Sequence, residues 1–295
     1  MKIAIQLFGH LRTYKECYLA LKEYLLNNYD CDVFLHTWDT IDHSTKTWHN
    51  RFMPNAKDNT QDIVNELKSI YNLKDIKIEH QDIKDLGVIN AINKDISIFG
   101  MQCMFHSMKE VNSLREKYQQ ENNVQYDFVI TLRPDLKLTE QFNIEYYLQR
   151  MSNEDIDKSF FTYFFPMVGL WNDYKKIGAS DIFFFAKPDV ISNIFANINF
   201  VVDKIKPITI DFGPEVYFLE LVKHLGYNIN LIRYANNTEH LIKRPAVKKK
   251  NFSLRIRLKN SHLLMFPNLG YNILDFKFSI GKLFKIRICI GEDNE

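Results

Sequence analysis

Apolar residues occur in short blocks along the first 235 positions, separated by polar turns. Seven blocks read as strands: residues 2–7, 32–39, 76–79, 126–132, 159–164, 182–186 and 230–233. Most are nearly continuous rather than alternating, the pattern of strands buried on both faces in a parallel sheet. Between them apolar residues recur at helical spacing. Tyr14, Cys17, Leu21 and Leu25 form one stripe, Ile63, Leu67 and Ile70 a second behind the capping Thr60, and Met104, Met108, Val111 and Leu114 a third within residues 98–118. Residues 140–151 are helix-like, a further helix opens at Pro188-Asp189, and a last one runs from Pro214 along Val216, Leu219, Val222 and Leu225 to Gly226. Strand and helix alternation predicts an α/β fold, Rossmann-like, with a mostly parallel central sheet flanked by helices. Residues 42–58 and 166–180 lack either period and read as exposed loops, the first suited to covering a ligand edge.

Three strand ends and two later junctions between these blocks carry candidate chemistry. In open α/β sheets ligands bind at the carboxyl ends of the strands. The first strand ends in Phe8-Gly9-His10-Leu11-Arg12-Thr13 ahead of a helix, where backbone N–H groups and the guanidinium of Arg12 suit an anion. With Gly9 alone this is neither a dinucleotide fingerprint nor a Walker loop, and a capping role for Arg12 is the competing reading. The second strand ends in His36-Thr37-Trp38-Asp39, where Trp38 could stack on a base and Asp39 bond a ribose, or Trp38 could plug the sheet and Asp39 cap a turn. The fourth stops at Arg133-Pro134-Asp135, with Pro134 ending the ladder and Asp135 just beyond it. Gln102 and His106, early on their helix, could face the same edge. Asp181 precedes its strand and reaches the edge of Asp135 only if that strand runs antiparallel. Asp211 and Glu215 flank the helix opening at Pro214, where complementing the helix dipole is the simpler role.

Composition narrows the class. A chain of 295 residues, 46% apolar and 25% charged, is expected to form one large domain or a core with a small appendage. Cys17, Cys31, Cys103 and Cys289 lack metal-ligand spacing and read as reduced thiols. The first residues do not read as a signal peptide, and no apolar run approaches the ~20 residues of a membrane span, so a cytoplasmic or surface-attached protein is expected. Charge is uneven: twelve Lys and Arg against four Asp and Glu follow from Leu241, so a chain of net +2 divides into an acidic body of −6 and a tail of +8. That division predicts a domain over residues 1–240 and a basic extension over 241–295. In the extension Lys248, Lys249, Lys250, Arg255, Arg257 and Lys259 interleave with Phe252, Leu254, Ile256 and Leu258. Such a segment fits an anionic membrane face, each cation near the surface contributing about 1 kcal/mol, or a solvated extension packed on the domain. No nucleic-acid reading motif accompanies the charge.

Taken in order, IQLFGHLRT (Ile5 to Thr13), DVFLHTWD (Asp32 to Asp39), YDFVITLRPDL (Tyr126 to Leu136), SDIFFF (Ser180 to Phe185) and GPEVYF (Gly213 to Phe218) resemble bacterial GT-A type glycosyltransferases of capsule and lipopolysaccharide synthesis. The likeness covers residues 1 to about 235. It implies a GT-A-like fold with a donor half over residues 1–136, binding a nucleotide sugar through Gly9, Arg12, Trp38, Asp39, Arg133 and Asp135. It also implies an acceptor half over 137–240, binding a lipid-linked or oligosaccharide acceptor. In that family an Asp-x-Asp element holds Mn²⁺ or Mg²⁺ on the donor diphosphate. Here Arg133 stands in place of the first acid, leaving either Asp135 with a late histidine, His240, as metal ligands, or Arg133 itself on the diphosphate. An inverting reaction needs a carboxylate base, for which Asp181 and then Glu215 are the candidates; a retaining one would use them as stabilisers or nucleophiles. The competing functions are nucleotidyl or other group transfer to a sugar, and a non-catalytic role in a glycan-synthesis complex. The implied location is the cytoplasm, peripheral to the inner face of the plasma membrane.

Overall fold

A computed structural model describes residues 1–43, 61–81, 88–91, 94–97, 99–149, 151–166, 177–205, 209–210, 214–232, 240–242, 254–257 and 263–266. The first half comprises β1 (Lys2–Phe8), α1 (Tyr14–Leu21) with a π-helical extension (Lys22–Leu26), β2 (Asp30–Trp38), α2 (Gln61–Tyr71), β3 (Leu73–Glu79), β4 (Val88–Ala91), β5 (Lys94–Ser97), α3 (Phe99–Asn122), β6 (Phe128–Leu132) and β7 (Leu136–Leu138). Then follow α4 (Ile144–Leu148), α5 (Asn153–Asp157), β8 (Ser159–Pro166), β9 (Ile177–Ala186), α6 (Pro188–Ala196), α7 (Asn199–Ile205), β10 (Thr209–Ile210), α8 (Pro214–His224), β11 (Asn228–Leu231) and β12 (His240–Ile242). The last two strands are β13 (Leu254–Arg257) and β14 (Leu263–Phe266).

The main sheet has seven strands in the order β11-β8-β9-β6-β1-β2-β3. β1 is parallel to β2 and β6, β2 to β3 and β11 to β8, whereas β9 is antiparallel to both its neighbours. The α/β class with a mostly parallel, helix-flanked sheet is therefore observed. Continuous apolar strands follow from burial on both faces. On β1, Ala4 and Phe8 join Met101, Phe105 and Met108 of α3 on one face, while Ile3, Ile5 and Leu7 join Tyr14 and Leu21 of α1 and Leu67 of α2 on the other. Each such Leu, Ile or Phe contributes roughly 1.5–3 kcal/mol by leaving water. Aromatic packing closes the second half, with the rings of Phe161 and Phe185 stacked at 4.3 Å. Gln6 and Thr131 interrupt the apolar strands without cost because they are paired: Thr131 Oγ1 donates to Gln6 Oε1 at 2.9 Å, and Gln6 Nε2 to Asn112 Oδ1 of α3 at 3.0 Å.

Several boundaries differ from expectation. β8 runs to Pro166 and β9 begins at Ile177, so the ends of the expected 166–180 loop are strand: Phe164, Phe165 and Pro166 pair with Ala179, Gly178 and Ile177. Ladder pairing overrides the weak local pattern there, and residues 167–176 lie outside the described set. Within residues 140–151 only Ile144–Leu148 is helical, capped by Asn143, and a second short helix, capped by Ser152, follows at Asn153–Asp157. The 42–58 loop lies outside the described residues beyond His43, as do Asp211 and Gly213.

The chain divides into two compact units, Met1–Arg244 and Pro245–Glu295. The break falls after residue 240 because β12 pairs antiparallel with β7, tying His240–Ile242 to the larger unit. The described part of the second unit is an antiparallel hairpin of β13 and β14. Among the described residues no helix is long and apolar enough to cross a membrane.

Candidate functional site

The turn after β1 needs two unusual backbone conformations. Gly9 has φ +92° and Arg12 φ +45°, the latter a left-handed conformation that costs a non-glycine residue about 1 kcal/mol. It is held from both sides. The Gly9 N–H donates to Ser107 Oγ at 2.8 Å and to the His36 carbonyl at 3.2 Å, and the Arg12 N–H to the Ile41 carbonyl at 2.9 Å. The Gly9 amide is thus already engaged, and its place in the site is to shape the turn.

The turn aims Arg12 across the sheet edge. Arg12 Nη1 lies 3.0 Å from Asp135 Oδ2, and its Nε 2.7 Å from Asp42 Oδ1. Arg133 grips the same carboxylate with both arms of its fork, Nε at 2.8 Å from Oδ1 and Nη2 on Oδ2. Asp135 is fully buried and Arg12 nearly so. Burial alone would raise the Asp135 carboxyl, but Arg133 and Arg12 together hold it below the usual carboxylate range. Three of its four lone-pair directions accept from arginine, so Asp135 is built as the counter-ion of two guanidinium groups, and a cation here would compete with both. The backbone of His240 pairs with that of Leu138, and its side chain lies outside the described residues.

Asp181 does reach this edge. Leu132 of β6 pairs with Phe183 of the reversed β9, and the Arg133 N–H donates to the Ile182 carbonyl at 3.3 Å. Continuing that antiparallel register sets Asp181 across from Pro134, beside Asp135. α8 packs over β9, and Glu215 of its first turn lies near enough to Asp181 to feel its charge. Burial pushes the Asp181 carboxyl up to about 6, with Arg133 opposing, and burial plus the neighbouring Asp181 charge push Glu215 up to about 8. Near neutral pH one member of the pair is an anion and the other an acid.

His10 lies on the same turn as Arg12, near both arginines. It is buried, and its Nε2 has no hydrogen-bond partner among the described residues. Burial, then the charges of His43, Arg12 and Arg133, hold its pKa well below the ordinary histidine value. A neutral imidazole therefore sits beside the arginine clamp.

A second cluster lies at the ends of β2 and β3. Glu79 Oε2 is 2.8 Å from both His36 Nε2 and His106 Nε2, and these three donor atoms are grouped closely enough to hold a metal ion. No other group of three metal-ligating side chains this tight occurs among the described residues. Trp38 is buried with Phe99 and Cys103, its ring stacked on His106 at 5.8 Å and edge-on to His36 at 5.1 Å. One of its faces is thus turned to His106. Asp39 Oδ2 meets His80 Nδ1 at 2.5 Å, while its Oδ1 is buried without a partner among the described residues.

No protein-family model and no curated protein matches the chain.

Geometry therefore brings Arg12, Arg133, Asp135, Asp181 and Glu215 together, and places Trp38 and Asp39 with His36, Glu79 and His106 further along the same edge. Glu79 and the His36–His106 pairing were missed from sequence. The three ligands stand on three separate elements with no local spacing, and the one available signal was polar residues at the ends of β2 and β3.

Proposed function

We propose that the chain is a nucleotide-sugar-dependent glycosyltransferase with a GT-A-like catalytic domain, adding a sugar to a lipid-linked or oligosaccharide acceptor of a bacterial surface glycan. The observation that carries this reading is the juxtaposition of two clamped guanidinium groups with the buried Asp181 and half-buried Glu215 at one end of a largely parallel sheet. Glycosyl transfer needs those two things: positive charge where a diphosphate departs, and a base where an acceptor hydroxyl attacks. Arg12 and Arg133 supply the first, with Asp135 fixing their orientation so that little reorganisation accompanies the reaction. Asp181, ionised near neutral pH, accepts the acceptor proton in an inverting reaction, and Glu215, still protonated, keeps a second negative charge away from it. A divalent ion, Mn²⁺ or Mg²⁺, would add charge on the diphosphate. Asp135 is a poor fit for it as a ligand, being shared by two arginines.

The basic segment from Lys248 to Lys259 would hold the protein on the anionic cytoplasmic face of the membrane, where a lipid-linked acceptor is presented. The reading is tested by incubating the protein with a panel of UDP-, GDP-, CMP- and CDP-sugars and assaying nucleotide release. Release of nucleoside diphosphate or monophosphate with sugar transfer, lost in Asp181→Asn, is expected. Inorganic pyrophosphate as the product would replace this reading with nucleotidyl transfer.

A further inference from the structure

We propose that His36, Glu79 and His106 form a binding site for a Zn²⁺-class transition-metal ion, separate from the arginine clamp and independent of the transferase reading. Two imidazoles and one carboxylate are the donor set of three-ligand zinc sites that keep a fourth position open. Hard ions such as Mg²⁺ prefer all-oxygen surroundings, so the set also selects against the ion expected on a diphosphate.

The geometry is close to loaded. Both histidine Nε2 atoms point at the same oxygen, Glu79 Oε2, each at 2.8 Å. With metal–ligand bonds of ~2.0–2.2 Å, the edges of a tetrahedral site are roughly 3.3–3.5 Å, so each pair must open by about half an ångström. Side-chain rotation suffices for that at Glu79 and His106, which are 28% and 45% exposed, while His36 is fixed and buried. The exposed side at His106 leaves the fourth position open to solvent or a ligand.

The surroundings of His36 are arranged as a metal site requires. A metal-bound histidine needs its other nitrogen held by a hydrogen bond that sets the tautomer. His36 Nδ1 lies 2.7 Å from Ser107 Oγ, which accepts the Gly9 N–H at 2.8 Å and lies 3.4 Å from the His36 carbonyl. Ser107 permits both states. Without metal its hydroxyl donates to Nδ1, and His36 Nε2–H donates to Glu79. With metal the hydroxyl turns to the His36 carbonyl, Nδ1–H donates to Oγ, and Nε2 is bare for the ion. Lys77 Nζ, 2.9 Å from Glu79 Oε1, balances the carboxylate from the side away from the histidines. The ligands come from β2, β3 and α3, and Ser107 links them to the Gly9 turn, so an ion here would fasten α3 to the edge of the sheet.

The probe is Co²⁺ titrated into tag-free, chelator-treated full-length protein, read by visible absorption, with Zn²⁺ competition and thermal unfolding in parallel. Stoichiometric d–d bands that Zn²⁺ displaces, and a Tm raised by a few degrees at ~100-fold excess over Kd, are expected. His106→Ala, at a half-exposed position, should weaken binding at least about 100-fold while leaving the metal-free Tm near wild type. Ser107→Ala should weaken it roughly 10–100-fold by losing control of the tautomer. Equal Co²⁺ binding by wild type and His106→Ala, or absence of bands and of any Tm change, would overturn the proposal and leave the triad as a metal-free hydrogen-bonded group. Binding of Mg²⁺ or Mn²⁺ in place of Co²⁺ and Zn²⁺ would overturn it equally.

Discussion

Replacing Asp135 by Asn tests whether the arginine clamp is held by charge. Asn keeps the shape of the side chain but removes the negative charge between Arg12 Nη1, 3.0 Å away, and the Arg133 fork, whose Nε lies at 2.8 Å. At ~3 Å and an effective dielectric near 20, each guanidinium–carboxylate attraction is about 5 kcal/mol. Dehydrating three charged groups offsets most of that in the native protein. Asp135→Asn forfeits the attraction and leaves two buried guanidinium groups facing each other, for a net destabilisation of roughly 3–5 kcal/mol. In a chain of this size that lowers Tm by roughly 5–8 °C. The sign with pH follows from linkage. The folded pKa of Asp135 lies below its unfolded value, so its stabilisation is fully present above about pH 4 and is lost as pH falls through the folded pKa. Urea unfolding of wild type and Asp135→Asn should therefore show a constant gap from pH 5 to 8 that narrows only below about pH 4. Adding Arg133→Met should recover about half the loss by removing one uncompensated cation, leaving Arg12 paired with Asp42. A gap under 1 kcal/mol at pH 7, or one that persists unchanged in acid, would refute a charge-held clamp.

Other outcomes follow from the same structure. Glu215 has a raised folded pKa, so its contribution is present at low pH and lost as pH rises from its unfolded value near 4 through about 8; Glu215→Gln should therefore raise Tm relative to wild type at pH 8.5 and not at pH 5, read by differential scanning fluorimetry. Transfer activity should rise with pH through about 6 as Asp181 ionises, and a profile flat from pH 5 to 7 would remove Asp181 as the base. Gly9→Ala should cost about 1–2 kcal/mol in urea unfolding with near-ultraviolet circular dichroism unchanged, because its φ is +92° yet an added Cβ meets nothing within 4 Å. Replacing Lys248, Lys249 and Lys250 together by Ala should weaken sedimentation with anionic vesicles roughly a hundredfold, at about 1 kcal/mol per lysine, and equal binding would exclude the tail as an anchor.

The parts of the fold that were legible in the sequence are those where burial is two-sided. Residues 128–132, FVITL, are all buried, and no amphipathic alternative competes for such a run. The stripe of Met104, Met108 and Val111 marked α3 equally plainly. Side-chain pairs across the sheet edge were not legible, because nothing local encodes them: Arg12 and Asp135 are 123 positions apart, and His36, Glu79 and His106 share no motif. Asp135 was legible as a residue beyond a strand end, but not as one enclosed by two arginines. Its neighbour Arg133 advertised charge, whereas the turn that brings Arg12 back depends on a left-handed backbone that arginine rarely adopts.

The direction of β9 decides whether the second half of the chain can contribute to the site at all. Were β9 parallel to β6, Asp181 would lie at the opposite end of the sheet from Asp135, and its burial would have no counterpart in Arg133. Reversal alone is not enough, since a slip of one residue in the β6–β9 register would turn every β9 side chain to the other face. The aromatic residues prevent that slip. Phe183 and Phe185 pack with Phe142 and Phe161 on one face, while Phe184 packs with Phe160 and Phe218 on the other. Three consecutive phenylalanines thus have distinct neighbours on both faces, and the pairing of Leu132 with Phe183 is set by packing rather than by the ladder. The same run that made this strand easy to recognise holds Asp181 across from Pro134, so the position of the candidate base is determined by hydrophobic packing that begins two residues away from it.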